Sequence, residues 1–360
     1  MRDLLAPVLG WYRNGEAFAL ATVVSTFRSA PRQPGAAMAV AGDGTVVGSV
    51  SGGCVEGAVY EVAREVLAHG RSVVEHYGIG AEDAYAAGLT CGGALDVLVE
   101  RVDAASFPDF GAVADAVAAG SPVAVVTRIS GPGDLGRRRV VFPDRSVGSL
   151  GYPDLDAALD TEARRLLATG GSAIRERGGH RFFVHAFAPP PRMIVFGAID
   201  FARAVCRIGA FLGYRITVCD ARPVFATRER FPEADEVVVR WPHDYLAATE
   251  TDERTVLCVL THDPKFDIPL LRTALRMPVA YVGAMGSRAT HEDRLARLRA
   301  EGLGAPELAR LRSPIGLDLR GRTPEETAVS VAAEIIALRH GGSGLPLART
   351  RGAIHDSPDT

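Results

Sequence analysis

The sequence predicts an α/β protein in two parts, a mixed α+β domain followed by a domain built on a doubly wound parallel sheet. Beyond residue 192, short apolar strands alternate with helical segments, which is typical of a parallel sheet covered by helices on both faces. Before residue 188, strands and helices occur without that alternation. Between the two parts, Pro189-Pro190-Pro191 favours extended backbone and predicts a linker. We therefore expect an N-terminal domain over 1–188, a proline-rich linker over 189–192, a Rossmann-type domain over 193–345 and a flexible tail over 346–360.

The composition excludes several classes of protein. Of 360 residues, 47% are hydrophobic and 23% are charged, which is a globular rather than a disordered composition. The formal net charge of −3 argues against a dedicated nucleic-acid-binding protein. No stretch approaches the roughly 18 uninterrupted apolar residues of a membrane span. The start of the chain lacks the apolar run of a signal peptide, so we expect neither a membrane segment nor export.

The five cysteines are widely spaced and form no CxxC pair. This pattern fits a reducing compartment, provides no disulfide framework and carries no zinc signature. We expect a cytoplasmic protein in which Cys206, Cys219 and Cys258 are small buried residues of helix and strand cores.

Hydrophobic spacing and turn residues place the elements of the N-terminal domain. Predicted strands cover 20–26, 36–41, 45–50, 94–99, 123–128 and 182–187, and predicted helices cover 55–68, 112–119 and 156–168. The turn Gly42-Asp43-Gly44 joins the second and third strands as a tight hairpin. In the first of these helices, Val55, Val59 and Val66 recur on one face.

The C-terminal domain alternates more regularly. Predicted strands cover 192–196, 214–219, 236–240, 255–260 and 279–282, a helix covers 201–212, and the arginine-rich stretch 294–299 is expected to be a solvated helix face. The last helix begins after Thr323, which can cap it, while Pro324 suits its first position and Glu326 completes a capping box. This helix ends at Gly341-Gly342. Strands and helices in this order predict a Rossmann-type sheet.

The first strand-to-helix turn, residues 197–202 (GAIDFA), departs from the dinucleotide fingerprint G-x-G-x-x-G. Gly197 is present, but Ile199 replaces the glycine that lets a pyrophosphate approach the backbone, and Asp200 adds negative charge at the helix start. Asp220, which ends the second strand, is placed to hold a ribose. The turn is either an altered nucleotide site or a scaffold turn in which Asp200 caps its helix, and ordinary NAD(P) binding is disfavoured.

Two further strand ends carry polar groups where open α/β sheets place ligands. Residues 261–267 (THDPKFD) include His262, Asp263 and Lys265, the one lysine among 40 lysine and arginine residues. Residues 283–288 (GAMGSR) form a glycine-rich turn into a helix, in which Gly283, Gly286, Ser287 and Arg288 suit an anion. Each segment has a structural alternative, a loop-fixing hydrogen bond or a helix cap. Their occurrence at two strand ends favours a ligand site.

In the N-terminal domain, residues 48–57 (GSVSGGCVEG) join a strand to a helix. Gly52 and Gly53 allow a tight turn, and Cys54 falls at the helix start, where the dipole favours a thiolate. Such a cysteine can be a nucleophile, a sulfur acceptor or a soft metal ligand. Cys91 has a similar setting in residues 90–93 (TCGG). Arg28 and Arg32, on the loop after the first strand, either hold an anionic group or are solvated loop residues.

These motifs carry a resemblance that covers nearly the whole chain. Residues 48–56 (GSVSGGCVE) and 90–93 (TCGG) resemble the XdhC/CoxI family, the accessory proteins of xanthine dehydrogenase and carbon monoxide dehydrogenase maturation. The C-terminal half is similar to the Rossmann domain of that family at residues 220–225 (DARPVF), 230–232 (RFP), 260–263 (LTHD), 281–288 (YVGAMGSR), 314–318 (PIGLD) and 322–326 (RTPEE). One departure is residues 197–200, which read GAID where the family commonly carries GAGH, and this indicates a subgroup.

The resemblance implies an N-terminal domain of the XdhC/CoxI type and a cytoplasmic chaperone that binds molybdenum cofactor (molybdopterin), protects it during sulfuration and hands it to a xanthine dehydrogenase-type molybdenum hydroxylase. It also implies a homodimer, and a cysteine desulfurase and a molybdopterin nucleotidyltransferase as further partners. Cys54, with Cys91, would face the molybdenum or its sulfur. The expected contact residues are Arg28, Arg32, Ser51, Gly52, Gly53, Cys54, Glu56, Cys91, Gly92, Gly197, Asp220, His262, Asp263, Lys265, Gly283, Gly286, Ser287 and Arg288.

Two other functions remain open from the sequence. The first is an NAD(P)-dependent oxidoreductase that uses the C-terminal domain, with Asp220 on the ribose, and Ile199 and Asp200 argue against it. The second is an interaction scaffold for the partner dehydrogenase, in which the site is vestigial. A chaperone that binds a cofactor is favoured over a catalyst.

Overall fold

The structure is a computed structural model that describes residues 4–27, 32–78 and 93–351. The chain divides into two compact units, the first containing Met1–Pro189 and the second Pro190–Thr350. Within the described ranges, no helix combines the length and the apolar character that crossing a bilayer requires.

The described residues of the first unit form two antiparallel sheets of five strands each. Its helices are α1 (Leu5–Arg13), α2 (Glu56–His69), α3 (Phe110–Ala118) and α4 (Pro153–Leu167). Its strands are β1 (Phe18–Phe27), β2 (Ala37–Ala41), β3 (Val46–Gly48), β4 (Val73–Tyr77), β5 (Ala94–Val102), β6 (Val123–Ser130), β7 (Arg138–Val141), β8 (Ser146–Gly148), β9 (Gly171–Arg177) and β10 (His180–Phe187). The sheet orders are β3-β2-β1-β5-β4 and β8-β7-β6-β10-β9.

The two sheets are built on the same plan. In each, the first strand in the chain pairs with the second and the fifth, and a helix follows the third strand. A further helix precedes each set, α1 before β1 and α3 before β6. The first unit therefore consists of two copies of one topology, and we call the α1–β5 segment the first copy and the α3–β10 segment the second copy.

Alternating side chains on β1 explain how the first copy packs. Phe18 and Leu20 lie in the same buried cluster as residues of α1 and α3, whereas Ala19, Ala21 and Val23 lie in the cluster that includes residues of α2. Successive residues of a strand point to opposite faces, so one strand serves two cores. The Phe18 and Phe110 rings meet edge to face with centroids 5.5 Å apart.

All strands and helices predicted with ranges in the N-terminal half are present, with bounds shifted by a few residues. Five further elements, α1, β4, β7, β8 and β9, were not predicted. Two of these strands, β7 and β9, are rich in arginine, which hides the alternation of apolar residues that marks a strand. Arginines of both strands pair with α4 instead: Arg139 lies 2.6 Å from Asp160, and Arg177 lies 2.6 Å from Glu162.

The second unit is a six-stranded parallel sheet. Its strands are β11 (Arg192–Phe196), β12 (Arg215–Asp220), β13 (Glu236–Val239), β14 (Val256–Val259), β15 (Tyr281–Ala284) and β16 (Leu311–Arg312). Its α-helices are α5 (Asp200–Phe211), α6 (Pro242–Ala248), α7 (Pro264–Ala274), α8 (Arg288–Ala300), α9 (Ala305–Leu308) and α10 (Pro324–His340). The order β13-β12-β11-β14-β15-β16 is 3-2-1-4-5-6 in order of occurrence, the order of the dinucleotide-binding fold, so the predicted fold class is confirmed.

Helices cover both faces of this sheet. Val205 of α5 and Ile335 of α10 pack with Val195 on one face, while Leu270 of α7 and Leu298 of α8 belong to the core on the other. The capping box predicted for α10 is also present, with the Thr323 hydroxyl accepting from the Glu326 amide and the Glu326 carboxylate accepting from the Thr323 amide.

The three cysteines predicted to be core residues are fully buried in the second unit. Burial raises the pKa of Cys206 and of Cys219 to about 12, and it raises the pKa of Cys258 as well. These thiols are neutral packing groups, as expected.

Candidate functional site

The carboxyl ends of β11 and β14 lie side by side, at the point where the strand order reverses. Gly197 follows β11 with φ of +106°, and a Cβ atom there would lie 3.0 Å from the backbone nitrogen of Thr261. Glycine is required here both for its backbone conformation and for this close approach. The turn at residues 197–200 and the loop after β14 therefore meet where open α/β sheets bind ligands.

Asp220, the predicted ribose ligand, already has protein partners. Its carboxylate accepts hydrogen bonds from the Ala198 amide at 2.7 Å and from the Arg222 guanidinium at 3.0 and 2.9 Å. Burial raises the pKa of Asp220, but these hydrogen bonds outweigh it and hold the pKa below its usual range. The carboxylate therefore closes the turn onto β12 and has less capacity for a ribose, which counts against an ordinary NAD(P) site.

A pocket of about 340 Å³, the smaller pocket, opens between the ends of β12 and β14. It is lined by Ile199, Asp220, Ala221, Arg222, Pro242, Leu260, Thr261, His262, Asp263, Lys265 and Phe266. The Lys265 ammonium lies 3.0 Å from the Asp263 carboxylate and 4.9 Å from the centre of the Phe266 ring. The structure thus brings Asp220 together with His262, Asp263 and Lys265 of the loop after β14, two segments that the sequence patterns had indicated separately.

A pocket of about 600 Å³, the larger pocket, opens beside the end of β15. It is lined by Phe201, His262, Met285, Gly286, Ser287, Thr290, Pro314, Ile315, Leu317, Asp318, Arg320, Gly321, Arg322, Thr327 and Ser330. His262 lines both pockets, so they are neighbours. Both volumes fall in the range that small-molecule sites occupy.

The residues predicted around β15 separate into two groups. Gly286 and Ser287 line the larger pocket, and the Ser287 hydroxyl caps α8 by accepting from the Thr290 amide at 3.1 Å. Gly283 and Arg288 are not among the lining residues. A Cβ atom at Gly283 would lie 2.5 Å from the Tyr281 ring, so this glycine is needed for packing within the sheet.

Beneath the two pockets, a buried ion pair connects the loops. Arg294 of α8 donates to the Asp267 carboxylate at 2.9 Å, to the Met285 carbonyl at 2.9 Å and to the Ser313 hydroxyl at 2.8 Å. The Thr261 hydroxyl donates to the other oxygen of Asp267. The solvated helix face predicted for residues 294–299 is therefore wrong for Arg294, whose exposed fraction is 3%. The sequence did contain a sign of this burial, because Arg294 is four residues before the buried Leu298 and therefore lies on the same helix face.

In the first unit, the glycine-rich loop before α2 folds around its own carboxylate. Glu56 accepts hydrogen bonds from the amides of Ser51, Gly52 and Gly53 at 2.8 to 2.9 Å and from the Ser49 hydroxyl at 2.6 Å. Partial burial raises the pKa of Glu56, but the hydrogen bonds from Ser49 and Ser51 outweigh it and hold the pKa well below its usual range. Glu56 therefore fixes the loop in place.

The second copy contains a corresponding pair of serine and carboxylate one hundred residues later. Asp156 accepts from the Ser149 hydroxyl and from the Leu150 amide, both at 2.8 Å. In that copy, however, α4 already begins at Pro153, whereas α2 begins only at Glu56. Where the second copy has Tyr152-Pro153, the first has Gly52-Gly53, with φ of +84° and +124°. The two glycines unwind the first helical turn in the Cys54 loop, residues 51–55.

Cys54 is half-buried at the end of this unwound turn and packs against the core under α2. Its amide and that of Val55 donate to the Ser51 hydroxyl at 3.0 and 3.1 Å, so Ser51 organises the loop from inside. Arg32 is exposed. Arg28, Cys91 and Gly92 lie outside the described residues. Within the described part of the chain, no group of three or more His, Cys, Asp or Glu side chains could hold a metal ion.

Comparisons with known proteins agree with this architecture. Residues 193–335 match the family model described as the XdhC Rossmann domain. Residues 11–78 and 116–178 match the model described as the XdhC and CoxI family. Together these matches cover about three quarters of the chain.

Two curated relatives are similar over nearly their whole length. A Bacillus subtilis protein, named as a probable component of xanthine dehydrogenase, is 28% identical over 90% of this chain and 94% of that protein. The Escherichia coli molybdenum cofactor insertion chaperone PaoD is 28% identical over 91% of this chain and 85% of that protein. A crystal structure described as a xanthine dehydrogenase from Bacillus halodurans matches with a TM-score of 0.74 and 26% identity, over 97% of both chains.

Proposed function

Because the chain belongs to the XdhC and CoxI family, we propose that it is an accessory protein that binds molybdenum cofactor as cargo, supports its sulfuration and inserts it into a xanthine dehydrogenase-type molybdenum hydroxylase. Its similarity to PaoD over about nine tenths of the chain supports the insertion role. The similarity to a probable xanthine dehydrogenase component supports the class of partner.

The main support for this proposal is that the second unit combines ligand pockets at its strand ends with an altered dinucleotide turn. The sheet has the order of a dinucleotide-binding fold, with the smaller pocket at its switch point and the larger pocket beside the end of β15, yet Asp220 is bonded to Ala198 and Arg222. Ile199 also replaces the glycine that a pyrophosphate needs. A unit with ligand pockets and an altered dinucleotide turn fits a cargo binder better than the alternative, an NAD(P)-dependent oxidoreductase.

Most of the predicted residues have a role in this proposal, whereas Gly283 packs within the sheet and Arg288 lines neither pocket. Cys54 and Cys91 would face the molybdenum or its sulfur, and the unwound turn before α2 gives Cys54 a setting that the second copy lacks. Arg28 and Arg32 would contact oxygens of the pterin or phosphate. His262, Asp263, Lys265, Gly286 and Ser287 would contact the cargo directly from the two pockets, while Gly197 and Asp220 hold the turn and Glu56 holds the Cys54 loop.

The remaining parts of the proposal concern partners and location. We place the protein in the cytoplasm as a homodimer that serves a molybdenum hydroxylase. A cysteine desulfurase would supply sulfur, and a molybdopterin nucleotidyltransferase would act on the same cofactor. The absence of a CxxC pair from the sequence agrees with a reducing compartment.

The proposal is tested by purifying the full chain from cells grown with molybdate and measuring molybdenum after gel filtration. We expect molybdenum and a pterin to co-elute with the protein, and native mass spectrometry to give the mass of the cargo and the assembly state. Protein that elutes without either, from cells that load other molybdoproteins, would overturn the proposal. Calorimetric titration with NAD(H) and NADP(H) tests the oxidoreductase alternative.

A further inference from the structure

The smaller pocket and the larger pocket at the strand ends differ in how their cations are paired. In the smaller pocket each cation meets a carboxylate: Arg222 lies 2.9 Å from Asp220, and Lys265 lies 3.0 Å from Asp263. Five apolar residues also line it, Ile199, Ala221, Pro242, Leu260 and Phe266. Paired charges beside apolar walls suit a flat, uncharged group better than an anion.

The larger pocket has the opposite balance. Arg320 and Arg322 line it, and neither guanidinium forms an ion pair with any described residue. The one carboxylate among the lining residues is Asp318, so cations outnumber it two to one. The hydroxyls of Ser287 and Thr290 lie 2.9 Å apart at the start of α8, on the same wall. Unpaired guanidinium groups beside hydroxyls are typical of sites that bind phosphate.

The loop that carries these arginines is held in an unfavourable conformation. Arg320 has φ of +56°, the one positive value for a non-glycine residue in the described backbone. The loop is anchored before that point, where the Gly316 amide donates to Glu334 at 2.9 Å and the Ser330 hydroxyl donates to the Leu317 carbonyl. Backbone strain of this kind persists where the surrounding structure imposes it, and it is concentrated at ligand sites.

We propose that the two pockets bind one ligand in two parts, an uncharged heterocycle in the smaller pocket and its phosphate in the larger pocket, with His262 at the junction. The inference deepens the proposed function, since molybdenum cofactor joins a pterin to a phosphate, and it assigns the phosphate to Arg320 and Arg322. Neither arginine was among the site residues predicted from the sequence. The same geometry orients the cargo, because exchanging the two parts would put an anion beside Asp220 and Asp263.

The test uses the full chain and three probes: guanosine 5′-monophosphate, guanosine and inorganic phosphate. Guanine shares the amino-pyrimidinone edge of a pterin, so guanosine reports on the smaller pocket without a phosphate. Binding is measured by calorimetry and by Trp241 fluorescence, because the Trp241 ring lies 5.0 Å from that of Phe266, which lines the smaller pocket. Trp241→Phe identifies the contribution of this tryptophan to the signal.

The decisive variant is Arg320→Gln/Arg322→Gln, with Arg299→Gln as a control that removes an exposed arginine from α8 outside both pockets. We expect the double variant to bind guanosine 5′-monophosphate about tenfold or more weakly, because charge-assisted hydrogen bonds to the phosphate are lost. Its affinity for guanosine should be unchanged. The control variant should bind both ligands with the affinity of the wild-type protein. Equal loss for both ligands, no loss for the monophosphate, or no binding of either to the wild-type protein would overturn the inference.

These outcomes are separable from those of the proposed function. Protein that discriminates the monophosphate from the nucleoside through Arg320 and Arg322 but never carries molybdenum would keep the bipartite site and reject the cofactor role. Protein that carries molybdenum but shows no such discrimination would support the cofactor role and reject the bipartite site.

Discussion

The Arg294 guanidinium lies 2.9 Å from the Asp267 carboxylate, and both side chains are almost completely buried. Asp267 belongs to α7, which follows the loop of the smaller pocket, and Arg294 belongs to α8, which follows the turn of the larger one. Through Thr261, Met285 and this pair, the loops that follow β14 and β15 are fixed to each other. The ion pair therefore sets the relative position of the two pockets.

Removing one partner of this pair should be costly. Arg294→Ala leaves the Asp267 carboxylate buried without its cation, and we expect the free energy of unfolding to fall by about 3–5 kcal/mol. Urea denaturation of both forms measures this change. The matched control is Arg297→Ala on the same helix, whose exposed pair with Asp293 should contribute less than about 1 kcal/mol. Similar losses of unfolding free energy in the two variants would contradict the role of the Arg294–Asp267 pair in fixing the two loops.

Cys54→Ala should lower molybdenum retention more than Cys206→Ala. Cys54 is half-buried in the loop before α2, whereas burial excludes Cys206 from solvent and raises its pKa to about 12, so it cannot act as a thiolate near neutral pH. Molybdenum content after gel filtration measures retention in both variants. Equal molybdenum retention in the two variants would show that Cys54 does not contact the cargo.

Glu56→Gln should destabilise the first unit in a pH-dependent way. The pKa of Glu56 is lowered in the folded protein, so the ionised carboxylate contributes stability above the unfolded value of 4.5, and this contribution is lost as the pH falls below it. We expect the variant to be about 1–3 kcal/mol less stable at pH 7. Denaturation at pH 7 and pH 3 should show the difference narrowing at low pH, and a difference that is constant or grows would argue against an ionised Glu56.

The Cys54 loop can be converted to a helical turn by giving it the corresponding residues of the second copy. Gly52→Tyr/Gly53→Pro places in the first copy the residues that start α4 at Pro153. We expect α2 to lengthen by about one turn with folding retained, because proline is favoured in the first turn of a helix, and molybdenum retention to fall. A crystal structure and metal analysis check both parts. Full retention with a lengthened helix would show that the unwound turn is not needed for cargo.

Much of the second unit could be predicted from sequence because its elements follow local rules. The capping box at Thr323 and Glu326 and the apolar strand ending at Phe196 are local signals, and strand ends in such sheets point to ligand positions. His262 and Lys265 were found in this way. Their pairing was not predictable, since whether Lys265 meets Asp263 or an anionic ligand depends on side-chain rotamers.

Arg294, Arg320 and Arg322 were missed for a different reason. In a chain with 40 lysine and arginine residues, of which one is lysine, an arginine carries little information by itself. What distinguishes these three is tertiary: burial beside Asp267 for Arg294, and unpaired positions on a pocket wall for the other two. The plan shared by the two copies was not predicted either, because the residue similarity is confined to short segments such as 47–50 (VGSV) and 147–150 (VGSL), and the rest of the plan is expressed in strand order.

The repeated topology of the first unit provides a matched comparison for Cys54 inside the same chain. Ser149 and Asp156 hold the start of α4 without a cysteine, whereas Ser49 and Glu56 hold the start of α2 beside a loop that carries one. The second copy can therefore receive residues 51–55 as a graft, which asks whether this loop alone suffices to hold cargo.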